Sequence, residues 1–191
     1  MDGPTVAIYE RVAREWTAAR GDPIDDLAAR FRHQAGEGLV ADLGCGPGRY
    51  LTQMDAPAIG VDVTMAMLEL AAQRGFPLVR GDLEALPVAT GALVAAFGRH
   101  SYLHLPKARM SAALAELRRV LRPGGLAMLL LIEGDQEGPS PPGTGFPGRY
   151  FSFWSPEEIR ALMSRAGFAQ SAVERIPWPD GGTDLLVTAR R

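Results

Sequence analysis

Apolar positions along the chain fall into two regimes. Near the start they recur at helical spacing; from residue 39 onward they gather in short continuous runs separated by helical stretches. Tyr9, Val12, Ala13 and Trp16 share one face of a first helix that Thr5 is placed to cap. Asp22 as cap, Pro23 at the first helical position and the stripe Ile24, Leu27, Ala28 and Phe31 predict a second helix. Apolar runs at 39–41, 58–61, 77–79, 94–97 and 126–132 predict five buried strands. Between them the pattern predicts a short helix ending near Met54 and a helix capped by Thr64 that runs to Gln73. A helix over 106–121 follows, with Met110, Leu114, Leu117 and Leu121 on one face, stopped by Arg122-Pro123-Gly124-Gly125. Residues 134–151 are rich in Gly and Pro and predict a loop. Ser155-Pro156-Glu157-Glu158 is a capping box for a helix that stops at Gly167. Residues 168–176 and 184–189 can pair as a hairpin around Asp180-Gly181-Gly182. Strands and helices that alternate, with strands apolar throughout, predict an α/β fold whose parallel sheet is covered on both faces. The closing hairpin makes that sheet mixed.

Composition narrows the class. With 191 residues, 47% apolar and 22% charged, the chain reads as one domain able to bury a core unaided. The expected organisation is a single domain over 1–191, with cap helices in 1–35 and a core in 36–191. The net charge is −2 and Lys107 is the only lysine. No block of like charge stands out, so nucleic acid is not indicated as a partner. Cys45 is the only cysteine, which excludes an internal disulfide, and no Cys/His spacing suits a metal. The N-terminal residues carry no basic stretch followed by an apolar one, and the run 126–132 is too short to cross a bilayer. The expectation is a cytoplasmic protein with no membrane partner, a monomer or homodimer.

Chemistry concentrates where the first strand ends. Asp42-Leu43-Gly44-Cys45-Gly46-Pro47-Gly48 follows that strand, and its glycines let backbone amides approach a ligand closely. The spacing is G-x-G-x-G. A dinucleotide fingerprint, G-x-G-x-x-G, would need its third glycine where Arg49 stands.

These residues resemble the class I S-adenosylmethionine-dependent methyltransferases, in particular the small type 11 style. D-L-G-C-G-P-G is similar to that family's first motif, and further segments agree in order. Gly60-Val61-Asp62 resembles the acidic end of the second strand, Gly81-Asp82-Leu83-Glu84-Ala85-Leu86-Pro87 the adenine segment, and Leu121-Arg122-Pro123-Gly124-Gly125 the turn before the fifth strand. Arg99-His100-Ser101-Tyr102-Leu103-His104 resembles the stretch after the fourth strand, and residues 9–16 the N-terminal cap helix. The resemblance covers roughly residues 36–190. It implies a doubly wound Rossmann-like sheet of order 3-2-1-4-5-7-6, with S-adenosyl-L-methionine as cofactor.

On that resemblance, Gly44, Cys45 and Gly46 line the methionine part, and Asp42 orients the loop and complements the ammonium. Asp62 takes both ribose hydroxyls, and Asp82 and the Leu83 amide hold adenine between Val63 and Met67. Arg99 joins the cofactor contacts, Tyr9 and Tyr150 are the acceptor contacts, and His100, just past the fourth strand, is the candidate base. The loop at the mouth also carries Glu133, Arg149, Phe151 and Trp154. Several of these have a purely structural reading beside the functional one. Asp62 can cap a helix, Asp82 can shape a turn, Met67 can be packing, and His100 can brace the backbone. One position departs from the family: Val94 stands near the start of the fourth strand where relatives carry an aspartate. The motif Asn/Asp-Pro-Pro-Tyr is absent after that strand, which argues against amino methylation of adenine or glutamine by that route. The expected function is methyl transfer to a small-molecule acceptor. The competing readings are a cofactor-binding sensor or accessory protein and a nicotinamide dehydrogenase.

Overall fold

In a computed structural model that describes every residue except 22, 24, 56 and 180, the short apolar runs become strands. They are β1 (Val40–Leu43), β2 (Ala58–Asp62), β3 (Leu78–Arg80), β4 (Leu93–Arg99) and β5 (Leu121–Ile132). Then come β6 (Glu137–Pro139), β7 (Tyr150–Ser152), β8 (Ala169–Pro177) and β9 (Thr183–Arg190). Seven of them form one sheet in the order β3-β2-β1-β4-β5-β9-β8, while β6 and β7 form a separate hairpin. The first five are parallel, and β9 runs antiparallel to both β5 and β8. With β8 and β9 as sixth and seventh strands, this is the expected order.

Parallel strands covered on both faces have no polar side to show, which is why β1 is buried at all four positions and β4 at every position but Arg99. The helices that cover them are α1 (Gly3–Arg20), α2 (Leu27–Ala35), α3 (Met65–Ala71), α4 (Met110–Val120) and α5 (Pro156–Arg165). Ala41, Leu43, Ala96, Leu129 and Leu131 face one core, shared with α4 and α5. Val40, Ala95, Phe97, Met128 and Leu130 face the other, shared with α2 and α3. The alternation along β1, β4 and β5 divides the two cores. Val94 lies in the second core, and a Cβ on Gly38 would come within 2.3 Å of its Cγ1. The valine that departs from the family thus fits against a position that only glycine can fill.

Several element boundaries differ from expectation. Asp2, not Thr5, caps α1: its carboxylate accepts from both the Thr5 amide and the Thr5 hydroxyl. The second helix starts at Leu27, after Asp26, so Pro23 lies outside it; Asp22 and Ile24 lie outside the described residues. The helix expected to end at Met54 is only a 3-10 turn, Leu51–Gln53, because the glycine loop occupies the chain before it. The helix after Thr64 ends at Ala71 and tightens into a 3-10 turn over Ala72–Arg74. The 106–121 helix likewise opens with a 3-10 turn, Lys107–Arg109, and passes at Leu121 into β5. The 134–151 loop contains β6 and leads into β7, a pairing with no alternating apolar pattern to announce it. The capping box at Ser155 and Glu158 is present as expected. In the last turn Trp178 N donates to Gly182 O; Asp180 lies outside the described residues. Among the described residues no helix is long and apolar enough to cross a membrane.

Leu129 is sealed at the middle of β5. Leu129→Ala removes buried methyls where two strands prevent collapse, so it should lower unfolding free energy by about 2–5 kcal/mol. Urea denaturation with an unchanged slope is the check.

Candidate active site

The sheet order reverses between β1 and β4, and their carboxyl ends therefore open a crevice. β1 runs into Gly44 at φ +77, where a Cβ would meet Ser101 Cβ at 2.2 Å. Ser101 Oγ donates to Leu43 O at 2.6 Å, so the turn after β4 is fastened to the end of β1. The amides of Gly44 and Cys45 donate to Val61 O at 2.7 and 3.0 Å, and Gly46 N donates to Asp62 Oδ2 at 2.8 Å. The loop is thereby tied to β2. At Gly46, φ +52, nothing lies within 4 Å of where a Cβ would stand, so the loop borders open space there. Cys45 is buried, and burial followed by the charges of Asp42 and Asp62 pushes its thiol up, leaving a neutral packing residue rather than a nucleophile.

Two carboxylates meet behind this loop. Asp42 is 1% exposed and its Oδ2 has no hydrogen-bond partner. Desolvation, then the charge of Asp62, pushes its pKa up to about 8. Asp62 accepts from Thr64 N at 2.8 Å, from Gly46 N and from the Thr64 hydroxyl, yet burial outweighs these bonds and its pKa is also raised. A sealed carboxylate with an orphan oxygen beside a second carboxylate is a place for a cation. The ammonium of S-adenosylmethionine fits that requirement.

On the α3 side, Met67 is buried but belongs to neither main core. The Val63 carbonyl accepts from Arg80 Nε at 3.0 Å. Thr64 makes no side-chain cap for α3. That work falls to Glu10 of α1, which accepts from Met65 N at 2.7 Å and Ala66 N at 2.9 Å. Asp82 is held by the Met1 ammonium at 2.7 and 2.9 Å and by the Glu84 amide at 3.1 Å, and Leu83 turns its side chain into the core.

The end of β4 sends its side chains two ways. Arg99 pairs with Asp25 and stacks on Tyr50 at 4.8 Å, so its charge is taken up there. His100 adopts φ +54, and its Nε2 lies 2.9 Å from Oδ1 of the buried Asp184 at the start of β9. His104 is buried; its Nδ1–H donates to Tyr150 O at 2.6 Å, and its Nε2 accepts from the Tyr9 hydroxyl at 3.0 Å. Tyr9 accepts in turn from Arg149 Nη1 at 3.0 Å. Tyr150 enters through its backbone: its amide donates to Thr5 Oγ1 at 2.7 Å, while its phenol bonds Glu137 across the hairpin. Of the two expected acceptor contacts, therefore, Tyr9 brings its hydroxyl into the cluster and Tyr150 does not. Asp184 and Glu10 escaped the sequence reading. Asp184 had a usable signal, a lone carboxylate opening an apolar strand; Glu10 had none, because its partners lie 55 and 56 residues away.

Comparison with known proteins agrees with this geometry. Residues 40–125 match the family described as methyltransferase domain. The chain is 28% identical over 163 residues, 84% of its length, to the tRNA (carboxymethyluridine(34)-5-O)-methyltransferase ALKBH8 of Mus musculus, of which it covers 24%. It spans about a quarter of the length of the curated relatives of that kind. Among solved structures, the DhpI–SAH complex superposes with a TM-score of 0.76 at 22% identity, covering 98% of this chain and 95% of that one. The 1,6-didemethyltoxoflavin-N1-methyltransferase of Burkholderia thailandensis, with 1,6-didemethyltoxoflavin and S-adenosylhomocysteine bound, superposes at 0.71 and 22% identity, covering 97% and 84%.

Asp42 gives the site a pH signature. Between about pH 4 and about pH 8 the folded protein keeps a proton on Asp42 that the unfolded chain releases, so this group's contribution to stability falls as pH rises through that window. Thermal melts of the cofactor-free protein should show a smaller drop across this range in Asp42→Asn than in the natural chain. Equal drops would assign the pH dependence to other groups.

Proposed function

We propose that the chain is a class I S-adenosylmethionine-dependent methyltransferase that passes the methyl group of that cofactor to a small-molecule acceptor. The observation that carries this is the unpartnered, fully buried Oδ2 of Asp42 behind an open glycine loop. Asp42 receives the methionine ammonium, and Gly44, Cys45 and Gly46 lie along the methionine chain. Asp62 accepts from Gly46 N, Thr64 N and the Thr64 hydroxyl, which leaves acceptor capacity on the carboxylate for the ribose diol. Val63 and Met67 flank the adenine, with Asp82 and the Leu83 amide at its edge.

The bound cofactor supplies an electrophilic methyl group on its sulfonium sulfur. The chain supplies position, dryness and a proton acceptor. Helix α1 is fastened across the crevice by Glu10 on α3, by Tyr9 on His104 and by Thr5 on β7, which keeps water from the reacting centre. His100 donates Nε2–H to Asp184, so its Nδ1 carries the lone pair and takes the proton of the acceptor. Asp184 holds the ring in that tautomer.

A small acceptor is supported by the covered crevice, and a methyltransferase solved with 1,6-didemethyltoxoflavin and S-adenosylhomocysteine bound shares the fold over 97% of this chain. The test is S-adenosylhomocysteine release with thiol, phenol, amine, carboxylate and tRNA acceptors, alongside calorimetry of S-adenosylhomocysteine binding. Firm cofactor binding with turnover on tRNA alone would overturn the acceptor class. With the acceptor so found, His100→Ala should lower kcat by about 10²–10⁴-fold and leave S-adenosylhomocysteine affinity unchanged. A matching loss of affinity would make His100 a brace instead.

A further inference from the structure

The β6–β7 hairpin buries a positive charge that no carboxylate of the described residues accompanies. Arg149, just before β7, is 7% exposed. Its guanidinium lies over the rings of Tyr9, Phe146 and Phe151, at 5.6, 5.6 and 5.1 Å from their centroids. Nε donates to Phe146 O at 2.9 Å and Nη1 to the Tyr9 hydroxyl at 3.0 Å, both neutral acceptors. Among the described residues no carboxylate pairs with it, whereas Arg99, Arg109, Arg119, Arg160 and Arg175 each have one. Its Nη2 has no hydrogen-bond partner and is not sealed from solvent.

The neighbours do not make good the missing charge. His104 is fixed as a neutral imidazole by its two bonds, one given to a carbonyl and one accepted from a hydroxyl. Burial also pushes it down to about 4. Burying a guanidinium without an anion is unfavourable, and aromatic faces offset only part of that. The planar fork with an open Nη2 matches carboxylate and phosphate oxygens. Arg149 reaches His104 through the Tyr9 hydroxyl, and His104 lies on the Tyr102–His104 turn, which only Ser101 separates from His100. A groove of about 370 Å³ beside α1, lined by Ile8, Val12 and Phe146 among others, adjoins the same cage.

We propose that Arg149 binds an anionic oxygen group, a carboxylate or a phosphate monoester, on the methyl acceptor, with Tyr9, Phe146 and Phe151 as the aromatic walls of that subsite. This rests on the methyl-transfer reading and adds the acceptor's chemical class. Arg149 anchors one end of the acceptor while His100 serves the reacting end. Because Tyr9 belongs to α1, the anion also fastens the helix that closes the crevice.

The experiment is calorimetric titration with benzoate, phenyl phosphate and neutral benzamide, with and without saturating S-adenosylhomocysteine. The anions should bind about 10–100-fold more tightly than benzamide, the scale of a hydrogen bond to a charged group. The order of benzoate and phenyl phosphate tells which oxyanion the subsite takes. Arg149→Gln should erase the preference while S-adenosylhomocysteine binds as before, and Arg149→Lys should restore part of it. Benzamide binding as tightly as benzoate, no binding of either anion, or a preference that survives Arg149→Gln would overturn the proposal. Should Arg149→Gln fail to fold, the preference of the unaltered protein decides alone. Failure of S-adenosylhomocysteine to bind would instead count against the cofactor reading, which the titrations without it keep separate.

Discussion

The crevice depends on a contact with no room in it. Gly44 and Ser101 approach so closely that any side chain on Gly44 would strike Ser101 Cβ at 2.2 Å, and the same serine bonds Leu43 O. Two chain segments far apart in sequence are thereby locked where the sheet order reverses. From that lock the rest is fixed at short range. The loop after Gly44 is pulled onto β2 by its amides, which sets Asp62 beside Gly46, and the fixed Ser101 places His100 just before it and His104 on the turn just after it. Glycine at φ +77 satisfies both the left-handed backbone and the missing volume, so the residue is required twice over.

Helix α1 is the second determinant, and polar bonds rather than a broad apolar face hold it. Only Thr5 and Ala13 of its residues are buried. Glu10 closes the N-terminus of α3 with both carboxylate oxygens, Thr5 accepts the Tyr150 amide, and Tyr9 joins His104 to Arg149. Such bonds exchange with water at little net cost, of order 1 kcal/mol each. An element held this way belongs to the low-stability end of the fold, which suits a cover over a site that must admit ligands.

The fold was legible because its signals are local and repeated. Continuous apolar runs, the Gly44–Gly48 loop and the capping box at Ser155 each state their own structure. What misled were boundaries set by distant partners. Thr64 looked like the cap of α3, but the capping carboxylate comes from Glu10, and the second helix begins four residues past Pro23 despite that proline's good position. The site divides the same way. Asp42, Gly44 and Gly46 lie together because one segment carries them, and the Gly46 amide brings that loop to Asp62 at the end of β2. Arg99 stands at the expected place yet spends its charge on Asp25. Asp184 reaches His100 only through the antiparallel placement of β9 beside β5, a neighbour relation no local pattern encodes.

The crevice is polarised along its length. Burial and the neighbouring Asp62 raise the pKa of Asp42 at the β1–β2 end, and at the hairpin end Arg149 has no carboxylate partner among the described residues. Opposite charges in one pocket would neutralise each other if they could meet, and replacing or pairing buried charges commonly stabilises a fold. Here the fold prevents the meeting. Tyr9 and His104 stand beside Arg149 as neutral, hydrogen-bonded groups, each using its polar atoms on the other or on the backbone. A chain selected for stability alone has no reason to keep a lone acid pair and a lone guanidinium apart. A chain that must bind a cation at one end and an anion at the other has every reason, since each ligand then brings the countercharge that its own end lacks.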